Sequence, residues 1–216
     1  MMTTHDVPTL TRGWLSRVAA LAGLHPVVLE LGAHQGEDTC RIAEAFGGRA
    51  SMWAFEPDPR NIPLMRSPLP AVLIQAAVTD RDGEATMVLA SNRQSSSLRA
   101  PAHHLTKYPH ISFHGEARVR TMKLDTFCSA WGIEAVDFLW ADIQGAERDM
   151  VAGGQQILAT TKFMFLESET TEVYQGQWTR DEMIEALAPG WGVVGARDKD
   201  LLFWNRTMWP GCPVAR

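Results

Sequence analysis

The stretch that decides the fold spans residues 27–36 and reads Val27-Val28-Leu29-Glu30-Leu31-Gly32-Ala33-His34-Gln35-Gly36. Its first half is apolar and β-branched around a single acid, which is the pattern of a buried strand. The glycines that follow permit a tight turn, and residues 38–46 then show helical spacing. Strand, glycine turn and helix in this order predict the first unit of an α/β sheet.

Strands and helices alternate on either side of this unit. The sequence predicts further strands over residues 52–55, 71–77, 119–124, 136–141 and 163–166, and helices over residues 11–24, 125–131, 146–158 and 179–187. Asp82-Gly83 predicts a hairpin between residues 77–78 and 85–89, and residues 191–195 and 201–204 predict a C-terminal hairpin. We therefore expect a mostly parallel central sheet with an antiparallel C-terminal hairpin. Ligands of such a sheet bind at the carboxyl ends of its strands.

Size and charge limit the class of protein. The chain has 216 residues, 45% hydrophobic and 21% charged, so we expect one domain over residues 1–216 with a helical N-terminal region in residues 1–26. The net charge of -5 and the lack of basic runs argue against nucleic-acid binding. No signal sequence or membrane-spanning run is evident, and the three cysteines are far apart, so we expect a cytoplasmic protein without a membrane partner.

A polar segment over residues 90–116 interrupts the alternation of strands and helices. It is longer than most plain connections, so we expect it to cover the site as a lid or an acceptor-binding insertion. The segment contains His103, His104, His110 and His114. A histidine is a good general base because its pKa lies near neutrality, but each of these residues is equally suited to a surface loop.

Acidic residues end the first two predicted strands. Glu30 precedes the glycine turn, and Glu56 follows the strand over residues 52–55. An acid at the first position would repel a pyrophosphate but suits a cation, and the amino group and sulfonium of S-adenosylmethionine are both positive. A carboxylate at the second position can accept hydrogen bonds from both ribose hydroxyls. The alternative is that Gly32 and Gly36 only permit the turn and that Glu56 only caps the next helix.

Short stretches in a fixed order resemble the FkbM-type methyltransferase family over residues 27–205. They are Glu30-Leu31-Gly32-Ala33-His34-Gln35-Gly36-Glu37-Asp38-Thr39, Phe55-Glu56-Pro57-Asp58-Pro59, Ser96-Ser97-Leu98, Thr121-Met122-Lys123-Leu124-Asp125 and Asp142-Ile143-Gln144-Gly145-Ala146-Glu147. The resemblance implies a Rossmann-like class I methyltransferase fold, a central sheet whose last strand is antiparallel, and O-methylation with S-adenosylmethionine as donor.

The resemblance also implies roles for residues at these positions. The turn over residues 32–36 would hold the methionine part of the donor, Glu56 the ribose, and Ala76-Ala77 would lie near the adenine. The predicted cofactor set comprises Glu30, Gly32, Ala33, His34, Gly36, Thr39, Glu56, Pro57, Ala76, Ala77 and Asp142. The chain departs from the common family pattern at His34, where Asn is frequent, and at Gln144, where Glu is frequent. Trp140-Ala141 likewise stand where Lys-Ile is usual.

Asp142, Glu147 and His114 are the predicted catalytic residues. Asp142 ends a predicted strand at the carboxyl edge of the sheet, where a base for the acceptor is needed. It could instead cap the next helix, with Glu147 in the first turn of that helix. Both acids, with Glu167 and Glu169, carry oxygen ligands of the kind that Mg²⁺ accepts. Their spacing does not require a divalent metal, and we assign no metal ligands.

These features favour an S-adenosylmethionine-dependent methyltransferase that acts on a small-molecule acceptor, such as a saccharide or natural-product hydroxyl. Residues 174–178 offer this acceptor an aromatic face and amide groups. The alternative is a catalytically inactive cofactor-binding or scaffold protein of the same fold. A nicotinamide-dependent oxidoreductase is disfavoured, because Glu30 and the incomplete glycine fingerprint oppose dinucleotide binding.

Overall fold

The computed structural model describes residues 9–211, with side chains from residue 13 onward. The helices in this part of the chain are α1 Thr9–Leu21, α2 Glu37–Ala45, α3 His104–Lys107, α4 Leu124–Trp131, α5 Glu147–Gly153, α6 Gln155–Ala159 and α7 Arg180–Leu187. The strands are β1 Val27–Leu31, β2 Ser51–Phe55, β3 Val72–Ile74, β4 Ala77–Val78, β5 Gly83–Ala90, β6 Phe113–Met122, β7 Val136–Ala141, β8 Thr161–Glu167, β9 Trp191–Arg197 and β10 Asp200–Asn205. The N-terminal helix prediction thus corresponds to α1, while residues 1–8 and Cys212 lie outside the described residues.

Seven strands form the central sheet, in the order β3-β2-β1-β7-β8-β10-β9. The first five strands in this order, from β3 to β8, pair in parallel with one another. β10 runs antiparallel to β8 on one side and to β9 on the other. The predicted mostly parallel sheet with an antiparallel C-terminal hairpin is therefore confirmed.

Helices cover both faces of this sheet, as the alternating side chains of β1 show. Val28 packs on the face covered by α1 and α2, where it joins Ile42 in one core cluster. Leu29 packs on the opposite face with Phe127 of α4 in a second cluster. Because successive side chains of a strand point to opposite faces, Glu30 lies on the same face as Val28, beneath α2.

The predicted hairpin at Asp82-Gly83 is wrong. β4 and β5 belong to a three-stranded sheet of order β4-β6-β5, so β6 separates them. The Asp82 carboxylate accepts hydrogen bonds from Lys123 N at 2.9 Å and from the Thr126 hydroxyl at 2.8 Å. These bonds hold the turn against the start of α4, and β5 pairs with β6 instead of folding back on β4.

Two predicted segments have different bounds in the structure. The strand predicted over residues 71–77 is divided, because β3 belongs to the central sheet and β4 to the smaller one. β6 begins at Phe113, so the segment between β5 and β6 covers residues 91–112 rather than 90–116. We call residues 91–112 the covering segment.

The helix predicted over residues 146–158 is two helices, α5 and α6. Gly153 approaches Thr79 so closely that a β-carbon at this position would lie 2.1 Å from the Thr79 carbonyl oxygen. The Asp125 carboxylate then accepts hydrogen bonds from the first amides of α6, at 3.1 Å and 2.9 Å. The close approach of Gly153 to the residue after β4, together with the Asp125 bonds to the start of α6, therefore interrupts the helical period.

The central sheet changes direction of winding between β1 and β7. The chain continues from β1 to β2 on one side and from β7 to β8 on the other, although β1 and β7 are hydrogen-bonded neighbours. In open α/β sheets a ligand crevice lies outside the carboxyl ends of the strands at such a point. The functional site is expected there.

Candidate active site

A cavity of about 1110 Å³ lies at the carboxyl ends of β1, β2, β7 and β8. Ligand pockets commonly measure about 300–1,000 Å³, so this cavity has room for a donor and an acceptor together. The predicted site residues that line it are Gly32, Ala33, His34, Glu56, Pro57, Ala76, Ala77, Asp142 and Glu147. The fold thus brings together side chains from distant parts of the sequence.

The turn after β1 requires glycine at its first position. Gly32 has φ +87, and a β-carbon there would lie 1.9 Å from the Asp142 carbonyl oxygen. The amides of Gly32 and Ala33 both donate to the Phe55 carbonyl at 2.9 Å. This turn therefore contacts the ends of both β2 and β7. His34, which follows Ala33, has a positive φ of 50, which is unusual for a residue other than glycine.

We expect Gly32→Ala to destabilise the protein by about 3 kcal/mol or more. The left-handed conformation costs a residue with a β-carbon about 1–2 kcal/mol, and overpacking against backbone adds about 1–3 kcal/mol. Gly47 provides a matched control, since it has φ +64 but no atom within 4 Å of the place that a β-carbon would occupy. Urea unfolding of Gly47→Ala should therefore show the conformational penalty alone, and equal losses in both variants would contradict a steric role for Gly32.

Glu56 is held at the end of β2 by donors from two turns. Its Oε2 accepts from His34 N at 2.7 Å, and its Oε1 accepts from Asp58 N at 2.7 Å and Asn61 Nδ2 at 3.2 Å. Burial raises the pKa of Glu56 to about 7, although these hydrogen bonds oppose the rise. A carboxylate oxygen can accept two hydrogen bonds, so Oε2 retains capacity for a ligand hydroxyl.

Glu30 does not meet the expectation that its charge faces a cationic ligand. It is fully buried on the α2 face of the sheet, does not line the cavity, and both carboxylate oxygens lack a hydrogen-bond partner in the described chain. Burial raises the pKa of Glu30 to about 8. The buried Thr39 hydroxyl is near enough to oppose this rise without reaching hydrogen-bond geometry. Thr39 and Gly36 also lie outside the cavity lining.

Asp142 and Glu167 form a carboxyl pair inside the cavity, joined by Gln144. The Gln144 Nε2 group donates to Asp142 Oδ1 at 2.5 Å and to Glu167 Oε2 at 3.0 Å. Burial, followed by the charge of Glu167, raises the pKa of Asp142 well above its ordinary value. The Tyr174 hydroxyl lies 2.9 Å from Gln144 Oε1, at the other side of this amide.

Glu147 lines the same cavity, but its carboxylate is engaged by the turn that precedes α5. The Oε1 atom accepts from Ile143 N at 3.4 Å, and burial raises the pKa of Glu147 to about 7. This contact agrees with the structural alternative, in which an acid in the first turn stabilises the helix start. Asp142 differs from Glu147 in that its hydrogen-bond partner, Gln144, is a side chain that lines the cavity.

Hydrogen bonds connect the covering segment to the loops after β2, β7 and β8. Ser97 Oγ donates to the Gln144 carbonyl at 2.7 Å, and the Tyr174 hydroxyl lies 2.8 Å from the Ser95 carbonyl. Ser96 Oγ donates to Asp58 Oδ2 at 3.1 Å. The serines therefore connect the segment to β2, to β7 and to the loop after β8.

The histidines of the predicted insertion occupy different places. His104 and His110 line the cavity, whereas His103 and His114 do not. His114 is exposed near the start of β6, so its placement does not support the proposed catalytic role. His104 is buried, and burial lowers its pKa.

Asn61 and Lys199 line the cavity, although the sequence did not predict them as site residues. Asn61 donates to Glu56, but nothing in its surroundings in the sequence marks it. Lys199 lies in the polar turn between β9 and β10, 3.5 Å from Glu167 Oε1. The antiparallel pairing of β10 with β8 would have revealed this contact, because it places the turn beside the end of β8.

No three His, Cys, Asp or Glu side chains within the described range 13–211 are arranged to hold a metal ion. Among the helices of residues 9–211, each is too short or too polar to cross a membrane.

Comparison with known proteins identifies the family. The family model of the methyltransferase FkbM domain matches residues 30–198. The 2-O-methyltransferase NoeI of Sinorhizobium fredii is 35% identical over 181 residues, which cover 79% of this chain and 74% of that protein. A candidate O-methyltransferase from Klebsiella pneumoniae shares the fold, with a TM-score of 0.54 at 14% identity, over 94% of this chain and 83% of that one. The fold is therefore the class I methyltransferase fold, and the chain belongs to the FkbM family of S-adenosylmethionine-dependent methyltransferases.

Proposed function

We propose that the protein methylates a hydroxyl oxygen of a small molecule, such as a saccharide or another natural product. The observation that carries this proposal is the Asp142–Glu167 carboxyl pair, which lines the same cavity as the glycine turn and Glu56. A hydroxyl acceptor must lose its proton, and a carboxylate within the cavity can take it. The name of the relative NoeI, a 2-O-methyltransferase, supports oxygen as the atom methylated.

The donor half of the cavity fits S-adenosylmethionine. Gly32, Ala33 and His34 would lie along its methionine part, and Glu56 Oε2 has capacity to accept from a ribose hydroxyl. The buried Ala76 and Ala77 would leave a flat apolar wall for the adenine. When bound, S-adenosylmethionine supplies an electrophilic methyl group on a positively charged sulfur.

The acceptor half lies beside the carboxyl pair and the covering segment. Tyr174, Trp178 and Tyr108 line this part with aromatic surface, and Asp142 provides the proton acceptor. An aromatic wall with a few placed polar groups is suited to a ring that carries hydroxyls. The protein's contribution to the reaction is to align the acceptor oxygen, exclude water and receive the proton.

Calorimetric titration with S-adenosylmethionine and, separately, with NAD tests the donor assignment. We expect saturable binding of S-adenosylmethionine and none of NAD. Glu56→Ala should weaken the binding about 10- to 100-fold, because hydrogen bonds to a charged group contribute about 1.5–3 kcal/mol. Glu134→Ala, at an exposed position, should leave the affinity unchanged.

A screen of hydroxylated acceptors with labelled S-adenosylmethionine tests the reaction itself. Transfer of label to an oxygen of a saccharide or natural product would support the proposal. Tight donor binding without transfer to any acceptor would instead favour the inactive cofactor-binding protein. Absence of S-adenosylmethionine binding at millimolar concentration would contradict both.

A further inference from the structure

Lys199 places a positive charge beside the carboxyl pair of the cavity. Its Nζ lies 3.5 Å from Glu167 Oε1 and 2.8 Å from Glu169 Oε1. The backbone at this position is fixed, since the Lys199 carbonyl accepts from the Ser168 amide at 2.6 Å and from its hydroxyl at 3.0 Å. The side chain therefore extends from the β9–β10 turn toward the end of β8.

The two carboxyls of the pair lie close together, since one amide group contacts both. Burial, followed by the charge of Glu167, favours the neutral form of Asp142. A pair that holds two protons cannot receive another from an acceptor. The pair must therefore carry at least one negative charge under the conditions of the reaction.

Other charged groups near the pair do not supply its counter-charge. At the start of α5, Glu147 adds another acid. Two residues after β8, Glu169 is a further acid, and Lys107 of α3 pairs with Glu169. Within the described residues, Lys199 is the cation in ion-pair contact with Glu167.

Aromatic and histidine side chains also line the cavity around the pair. The Tyr108 hydroxyl donates to Glu169 at 3.0 Å, and the ring of Tyr108 lies 4.9 Å from Lys199 Nζ. Burial raises the pKa of Tyr174 far above neutrality, and burial lowers the pKa of His104. Burial also opposes the charge of Lys199, but the facing acids Glu167 and Glu169 outweigh it and raise the pKa of Lys199.

We propose that Lys199 is a positioning residue, which acts as the counter-ion of the Asp142–Glu167 pair and keeps one of its carboxyls charged. The inference rests on the proposed function. In the reaction, the acceptor oxygen forms a bond to the methyl carbon as the carbon–sulfur bond breaks, with its electron pair passing to sulfur. The hydroxyl proton passes to Asp142, which then completes a neutral pair beside the charged lysine.

The test follows the pair directly in the cofactor-free protein. The Asp142 carboxyl carbon is observed by NMR in ¹³C-aspartate-labelled protein, assigned by its loss in Asp142→Asn, and titrated with pH. In Lys199→Met we expect the first deprotonation of the pair to move to higher pH by about one unit, because an opposite charge in contact is lost. Lys199→Arg should restore the wild-type midpoint.

Lys107→Met is the matched control, since it removes a neighbouring positive charge that contacts Glu169 and not the pair. Its midpoint should stay at the wild-type value. An unshifted midpoint in folded Lys199→Met, or equal shifts in both variants, would overturn the proposal. If Lys199→Met fails to fold, Lys199→Gln is titrated by the same criteria. This readout needs no acceptor, so its outcome is separate from that of the proposed methyl transfer. In the pH profile of methyl transfer, the acid limb of Lys199→Met should move by the same amount as the NMR midpoint.

Discussion

Asp142→Asn is expected to lower kcat about 10²- to 10⁴-fold, because it removes the carboxylate proposed to take the acceptor's proton. The substitution keeps the size of the side chain and leaves Gln144 and Glu167 in place. Binding of S-adenosylmethionine should change much less than kcat, since we propose that the β1 turn and Glu56 hold most of the donor. Steady-state kinetics with the acceptor found by screening, together with donor calorimetry, measure the two effects separately.

The pH dependence distinguishes a base from a structural residue. Burial raises the pKa of Asp142, and the base must be ionised, so wild-type kcat/KM should rise with pH until the pair has lost a proton. This rise should disappear in Asp142→Asn. Asp149→Asn is the control, because Asp149 pairs with Arg99 outside the cavity. A variant Asp142→Asn with wild-type kcat would remove Asp142 from the mechanism.

Glu30→Gln is expected to stabilise the protein progressively as the pH rises from about 4.5 to about 8. Glu30 has an ordinary pKa of 4.5, and burial raises it to about 8 in the folded protein. Between these values the unfolded chain has lost the proton and the folded protein retains it, so wild-type stability falls as pH rises. Each pH unit of this window corresponds to about 1.4 kcal/mol. Glutamine has no such proton and avoids the loss.

Urea unfolding of both proteins at several pH values measures this difference. Below pH 4.5 the two should have similar pH dependence, and above pH 8 the gap should stop growing. Glu44→Gln provides the control, because Glu44 is exposed on α2, the helix that covers Glu30. Stability curves of Glu30→Gln and wild type that stay parallel from pH 5 to pH 8 would show that Glu30 is ionised in the folded protein.

Much of the central sheet was predictable from local pattern. The predicted strands over residues 27–31 and 136–141 match β1 and β7 to the residue. Each is a short, mostly apolar run between turn residues. Such a run can be recognised as a strand without knowing which strands it pairs with. The position of Glu56 was also predictable, because the end of a strand can be located from its neighbours in the sequence.

The site was less predictable where it depends on which way a side chain points. Glu30 is the penultimate residue of β1 and Asp142 follows β7, yet Glu30 lies beneath α2 while Asp142 lines the cavity. A position near the end of a strand does not by itself reveal whether a side chain faces the cavity or the layer of helices. His114 shows the same limit, since a long polar segment makes its histidines catalytic candidates, whereas His114 lies on an exposed part of a strand.

The sequence by itself determined the order of strands and helices, the glycine turn after β1 and the acids at the strand ends. These features arise from periodicity and turn chemistry, which act over a few neighbouring residues. Only the tertiary structure decided that β6 separates β4 from β5, and that Gln144 and Lys199 meet the Asp142–Glu167 pair. Pairing register, burial and counter-charge depend on residues far apart in the chain, so they are settled when the layers pack together.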